Sequence, residues 1–227
     1  MIHDESHKIP GARWGILAPT APDGGDMAAV IAARGIVLPR QVHGTDALFI
    51  IDPQQPVAEA DIIITSLRGV AVGVRTADCV PVVISAPDIH AVAAVHAGWR
   101  GSAAHIAAKA VRLLTEMGAD PAAMHAAISA AICCDCFEVD EDVAAHFEHG
   151  VNRSPVVDPL TGRLFAQTKP HVDLPGCNAA DLAAAGLSPA HITTRALCTR
   201  HSPLGLPSWR RIPGTTQRLI TWITPNP

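Results

Sequence analysis

The chain has 227 residues, 48% of them hydrophobic, and a net charge of −4, which is enough apolar material to fill one sizeable core and predicts a single domain over residues 1–227. Its charges are scattered, with no Lys/Arg run to track a phosphate backbone, and 4% aromatic content without a single Tyr leaves little for base stacking, so nucleic acid is excluded as a partner. Residues 1–8 form no apolar leader and no later run reaches the ~20 apolar residues of a bilayer span, which predicts a cytoplasmic protein with no membrane partner.

In chain order, residues 61–65, 70–74, 80–85, 91–96 and 126–132 are short runs rich in Val, Ile and Ala, as expected of strands buried on both faces. Between the fourth and fifth, Ile106, Ala110, Leu113, Leu114 and Met117 recur at helical spacing, predicting a helix over about 102–117 with Ser102 as N-cap and Gly118 as its stop. Further helices are predicted over 141–149 and 178–185, the second closed by Gly186. The Pro-, Asn- and Gly-bearing stretch 151–170 reads as a long surface excursion. Strands alternating with helices predict an α/β (α+β) layered sandwich of mixed β-sheets with flanking helices.

Three residues that metals favour sit at the mouths of apolar runs: His43 in Pro39-Arg40-Gln41-Val42-His43-Gly44, Cys79 in Thr76-Ala77-Asp78-Cys79, and His96 in His96-Ala97-Gly98-Trp99-Arg100-Gly101. Two imidazoles and a thiolate make a ligand set for a catalytic zinc that keeps one position open. No two of them are close in sequence, so only the fold can assemble the site. His43 beside Gly44 and His96 beside Ala97-Gly98 have small neighbours that allow a sharp turn, whereas His90, His105, His125 and His191 read as structural. Cys79 taken alone reads as a buried small hydrophobe. The other five cysteines, at 133, 134, 136, 177 and 198, read as reduced and mostly buried thiols.

Arg100 precedes the predicted Ser102 helix, where a guanidinium and helix N–H groups would both face an anion; a structural Arg bonding loop carbonyls is the equal alternative. Arg75, Arg210 and Arg211 are secondary candidates, and Gln41 and Asp78 weaker ones for orienting a ligand or taking a proton. Other chemistries lack their signatures. His146-Phe147-Glu148 has no Pro-Cys-x-x-Cys after it, as the zinc deaminases of nucleobases require. There is no Gly-x-Gly-x-x-Gly and no Walker loop. None of the twelve His are spaced two apart, as the His-x-His pairs of true multicopper oxidases would be.

Residues 39–44, Arg75-Thr76-Ala77-Asp78-Cys79-Val80-Pro81, Ala94-Val95-His96-Ala97-Gly98-Trp99-Arg100-Gly101 and Cys136-Phe137-Glu138-Val139 resemble the successive motifs of the laccase-domain family, whose members are called polyphenol oxidases or purine nucleoside phosphorylases. Asp173-Leu174 with Asn178, Cys198-Thr199 and Ser208-Trp209-Arg210-Arg211 continue the pattern to the C-terminus. The chain departs from it where the glycine-rich N-terminal segment is shortened to residues 11–26 and where Ile128-Ser129-Ala130-Ala131-Ile132 replaces a Gly-Pro stretch.

The resemblance implies that Cys79 joins His43 and His96 on zinc, with copper as the alternative metal. It also implies phosphorolysis of purine nucleosides such as adenosine, inosine and methylthioadenosine, with purine nucleoside and phosphate as small-molecule partners and adenosine deamination as a further activity. Two other chemistries stay open: a copper-dependent polyphenol oxidase, and a thiol hydrolase or amidase acting on a cell-wall precursor, with Cys79 as nucleophile and His96 as its base.

Overall fold

The computed structural model describes residues 2–19, 27–164, 169–195 and 197–226. The chain opens with a hairpin of β1 (Ile2–Ile9) and β2 (Ala12–Pro19), followed by α1 (Met27–Ala33) and β3 (Ile36–Val37). The hairpin turns at Gly11, whose φ of 74° and close approach to Pro87, 2.6 Å from a built Cβ, leave no room for a side chain. Then come β4 (Ala47–Ile50), β5 (Ile62–Thr65), β6 (Ala71–Thr76), β7 (Val80–Ala86) and β8 (Ala91–Ala97). Helices α2 (Trp99–Ala103) and α3 (Ile106–Glu116) lead to β9 (His125–Ile128) and α4 (Glu141–Ala144). The chain closes with β10 (Val151–Asn152), β11 (His171–Val172), α5 (Leu174–Ala184), β12 (Ile192–Thr194) and β13 (Leu219–Pro225).

Two mixed sheets stack face to face. One has the order β1-β2-β13-β6-β3, the other β12-β9-β7-β8-β5-β4, and β10-β11 form a separate pair. Trp14, Ile16, Val72, Val74 and Ile223 from the first sheet meet Ile63, Val83, Val92, Ala94 and Ala127 from the second in one buried cluster. On the far face of the second sheet, Ile62, Ile64, Val82, Ile84 and Val95 pack on Ile106, Ala110, Val111 and Leu114 of α3 and Leu182 of α5. Leu17, Ile36, Ile220 and Trp222 cover the outer face of the first sheet together with Met27, Val30 and Ile31 of α1. Both faces of each sheet are therefore covered, which is why the strands read as continuous apolar runs rather than alternating ones.

The layered α/β sandwich and the five predicted strands are present, with differences at their ends. Strand pairing of the fifth run stops at Ile128, opposite Val82; beyond it the Ser129 N–H still donates to the Pro81 carbonyl at 3.0 Å, and an isolated bridge joins Ala131 to Cys198. The predicted 102–117 helix is two helices, split at His105, which takes a left-handed φ of 55°. Ser102 is not an N-cap: it lies within α2, where its buried hydroxyl accepts a hydrogen bond from Asn178 Nδ2 at 2.8 Å. The stop at Gly118, φ 105°, is as expected. The 141–149 helix is shorter, ending at Ala144, and α5 begins earlier because the Asp173 side chain caps the Gly176 N–H with Pro175 in the first turn.

Within the 151–170 excursion, residues 165–168 lie outside the described residues, as do 20–26 of the shortened N-terminal segment. The excursion is anchored rather than loose: Asp158, 6% exposed, pairs with Arg200 through two hydrogen bonds of 2.5 and 2.8 Å.

Candidate metal centre and cavity

His43, Cys79 and His96 come from three different places: the loop before β4, the turn between β6 and β7, and the end of β8. Their ligand atoms all lie within 4.8 Å of one another. The two imidazole rings meet edge to face, with centroids 4.8 Å apart. Antiparallel pairing of β7 with β8 sets Val80 opposite Ala97 and Pro81 opposite His96, which brings Cys79 at the start of one strand to the His at the end of the other.

Asp61, the fully buried residue that opens the β5 run, holds the other two sides of the triangle. Its Oδ1 lies 2.7 Å from Nδ1 of His96, and its carboxylate also accepts the backbone N–H groups of Val42, His43 and Gly44 at 3.2, 3.1 and 2.7 Å. A carboxylate only accepts, so His96 donates from Nδ1 and is left with Nε2 as its ligand atom. The three N–H bonds also hold His43 in its left-handed backbone, φ 60°, a conformation that costs a non-glycine residue on the order of 1–3 kcal/mol. Asp61 carried no site signal in the sequence beyond being an acidic residue at the head of a buried strand.

The electrostatics follow from this packing. Burial pushes the Cys79 thiol up, but hydrogen bonds and charge from His43 and His96 outweigh it and bring the group down to about 7. Burial alone would push His96 down, yet bonding to Asp61 and Cys79 raises it to about 9. For Asp61, burial raises the carboxyl while His96 and the Gly44 and Val42 N–H groups prevail and lower it. At neutral pH the Cys79 thiol is thus poised near half ionisation opposite a protonated His96.

These three donors open onto a cavity of about 620 Å³, lined also by Gln41, Arg75, Phe137, Trp209, Arg210 and Arg218. Gln41 and Asp78, weighed above as ligand-orienting groups, are already engaged in holding the chain. The Gln41 amide bonds the Arg75 backbone at both ends, at 2.7 and 2.8 Å. Asp78, at a φ of 103°, accepts from Thr199 Oγ1 at 2.6 Å and from the Arg210 N–H at 2.7 Å. Arg211 bonds the loop carbonyls of Arg200 and Leu206 and does not line the cavity.

Arg100 is not among the residues that line this cavity. Its guanidinium lies 4.2 Å from the centroid of the Trp99 ring, and α2, only five residues long, offers no extended array of N–H groups to an anion. Arg75, Arg210 and Arg218, with Arg40 at the rim, are the cations that do line it. Phe137 and Trp209 lie in motifs of the family resemblance that do not by themselves mark them as cavity residues, and Arg218 lies outside those motifs.

A family model described as a multi-copper polyphenol oxidoreductase laccase matches residues 26–226. The chain is 37% identical over 202 residues to an adenosine deaminase, RL5, from an unknown prokaryotic organism, covering 83% of this chain and 74% of that one. It is 32% identical over 204 residues to a purine nucleoside phosphorylase of Deinococcus radiodurans, covering 88% and 75%. Among solved structures, YlmD from Geobacillus stearothermophilus superposes with a TM-score of 0.77 at 28% identity, over 96% of this chain and 93% of that one. The hypothetical protein YfiH of Bacillus licheniformis shares the fold at a TM-score of 0.80 and 22% identity, over 95% and 93%.

Proposed function

Because the chain belongs to the multi-copper polyphenol oxidoreductase laccase family, we propose that it is a single-domain, zinc-dependent enzyme that cleaves purine nucleosides with phosphate and also deaminates adenosine. Relatives named purine nucleoside phosphorylase and adenosine deaminase support that reaction class. The observation that carries it is the convergence of His43, Cys79 and His96, ligand atoms within 4.8 Å, on a cavity of about 620 Å³ lined by both arginines and aromatic rings.

The residues fit a zinc ion. Two imidazoles and a thiol with a lowered pKa are donors zinc takes readily, and His96 has the carboxylate partner that metal-bound histidines usually have. Space beside them is kept by Gly98, where a Cβ would stand 3.2 Å from His43 Cδ2 and 3.4 Å from Cys79 Sγ. Zinc in such a set lowers the pKa of a bound water toward neutrality and polarises substrate atoms. Copper accepts the same donors, and metal content decides between the two.

The protein's own groups divide the remaining work. Phosphorolysis breaks the C1′–N9 bond of the nucleoside as a phosphate oxygen bonds C1′, so an anion must be held behind the sugar. Arg75 and Arg210 take that role in place of Arg100, each using one guanidinium N–H on a loop carbonyl, Pro39 and Glu138, with its other N–H groups left for the anion. Phe137 and Trp209 offer flat apolar faces to the purine. Asp61 keeps His96 in one tautomer and His43 in one backbone state while the reaction proceeds. A cytoplasmic site of action suits six cysteines that form no disulfide.

The test is product analysis. Zinc-loaded enzyme given adenosine, inosine and methylthioadenosine should release free base and pentose phosphate only when phosphate is present, and should convert adenosine to inosine without it. Absence of any nucleoside turnover would overturn the reading, and a copper-loaded preparation that oxidises phenols would favour the oxidase. The lowered thiol of Cys79 favours one second reading, a Cys79 nucleophile with His96 as base. That reading requires amide hydrolysis by metal-free protein that iodoacetamide abolishes.

A further inference from the structure

A second constellation of metal-binding side chains lies outside the centre described above. Cys133 and Cys136 are spaced Cys-x-x-Cys, and Cys198 and His201 are spaced Cys-x-x-His, more than sixty positions later. The fold brings the two pairs together, with all four ligand atoms within 4.8 Å of one another. His201 Nδ1 lies 3.3 Å from Cys136 Sγ and 4.0 Å from Cys133 Sγ. Ligand atoms of a tetrahedral zinc with Zn–S and Zn–N bonds of ordinary length stand ~3.5–3.8 Å apart, so these separations bracket the required value. We propose that Cys133, Cys136, Cys198 and His201 bind a structural zinc ion, distinct from the metal of the cavity.

The surroundings fit a closed site. Cys136 and Cys198 are buried and the other two ligands half-buried, and four protein donors leave no open position for substrate. Three thiolates on zinc leave one net negative charge. The Cys133 backbone N–H points at Cys198 Sγ at 3.4 Å, and Arg200, seated on Asp158, brings Nη1 to 3.6 Å from Cys136 Sγ. Both are donors of the kind that stabilise metal-bound sulfur. Cys133–Cys136 is the Cys-x-x-Cys of the sequence, which lacks the Pro and the position of a deaminase motif; the signal is its x2 spacing together with that of Cys198 and His201.

This zinc would work on the cavity from behind its wall. Ile132 and Phe137, which flank the Cys133–Cys136 turn, both line the cavity. The Ile132 N–H donates to the Asp78 carbonyl at 2.9 Å, and Thr199, next to Cys198, donates to the Asp78 carboxylate. Joining the two turns through a metal therefore fixes the strained residue that precedes Cys79 from two sides. The zinc would supply to this wall the cross-link that a few apolar contacts cannot.

The full-length Cys79→Ala protein, which lacks the thiolate of the cavity centre, separates the two sites. Purified under reducing conditions and desalted, it should still hold about one zinc per chain. The triple variant Cys79→Ala/Cys136→Ser/Cys198→Ser should hold none. As a readout that does not depend on those variants folding, cobalt titrated into metal-depleted parent protein should bind to about two equivalents, with tetrahedral visible bands and thiolate charge-transfer intensity well above that of a single Co–thiolate bond. Folded Cys79→Ala without zinc, an iron–sulfur chromophore, a Cys133–Cys136 disulfide in the freshly reduced protein, or the absence of those cobalt bands would each overturn the proposal.

Discussion

Asp61 Oδ1 sits 2.7 Å from His96 Nδ1 while the same carboxylate receives the backbone N–H of His43, so one buried side chain fixes the orientation of two candidate metal ligands. The substitution Asp61→Asn keeps the shape but removes the charge and puts an NH2 where an acceptor is needed. We expect zinc affinity to fall by about ten- to a hundredfold, the usual loss on removing such a partner. Stability should fall by roughly 1–3 kcal/mol, because buried N–H groups lose their acceptor. Competition with a metal chelator and a denaturation curve measure the two effects, and unchanged zinc affinity would show that Asp61 does not position the ligands.

Gly98 gives a cleaner separation of function from stability. Its backbone, φ −67° and ψ 171°, accepts any residue, so Gly98→Ala carries no backbone strain; the gain through the unfolded state is offset by loss of glycine at the α2 N-cap, and stability should change by less than about 1 kcal/mol. The new methyl would crowd His43 Cδ2 at 3.2 Å and Cys79 Sγ at 3.4 Å. Activity and metal retention should therefore drop far more than the melting temperature, which should stay close to that of the parent. A fully active variant would show that His43 need not stand where it does.

The arginines are expected to divide by position. Arg75→Ala and Arg210→Ala should raise the phosphate concentration needed to cleave inosine by roughly tenfold to a hundredfold, the value of a charge-assisted hydrogen bond to an anion. Adenosine deamination needs no phosphate and should change far less. Arg100→Ala, whose side chain rests on Trp99, should leave the phosphate requirement close to that of the parent. A large phosphate effect confined to Arg100→Ala would reverse this assignment. Steady-state kinetics of both reactions on the three variants provide the measurement.

Asp158 and Arg200 predict a pH-dependent stability. The Arg200 guanidinium, with help from the Leu160 N–H, holds the Asp158 carboxyl well below its ordinary value of 3.8. A depressed folded value means that the contribution is complete above the unfolded value and is lost as pH falls through the folded one. Asp158→Asn should cost roughly 1.5–3 kcal/mol near neutral pH, and the gap between variant and parent should narrow in strong acid. Denaturant titrations at the two pH values test this, and a gap that does not close would point to shape rather than charge as the cause.

The strand ends were legible wherever apolar runs were bounded by polar or small residues, because β5 to β8 are buried on both faces and hydrophobicity alone marks them. Strands β1, β2 and β13 were not, although β13 lies between β2 and β6 in the first sheet. The pairing of β13 with β2 joins residues at opposite ends of the chain, and nothing local encodes such a partner; the β1–β2 hairpin is local, but the polar residues of β1 give no apolar run to mark it. The helix split at His105 escaped for a different reason: the periodic residues Ile106 to Met117 all lie beyond it, and the start at Ser102 rested on capping chemistry alone, whereas His105 turns left-handed and pairs with Asp181 of α5 at 2.8 Å.

The sequence by itself determined which side chains are available for chemistry at the first site, two histidines and a cysteine at the mouths of buried strands; the x2 pairs of Cys133, Cys136, Cys198 and His201 are equally present in it, but only the fold shows that they belong together. Residue type and spacing fix donor chemistry, and that much is local. Only the tertiary structure decided that His43, Cys79 and His96 face one cavity, that Asp61 orients them, and that Arg75 and Arg210, rather than Arg100, stand beside them. The reason is physical. Sheet register and loop closure set distances between residues tens of positions apart, and they depend on every strand that packs into the two sheets, not on the motif in which each residue sits.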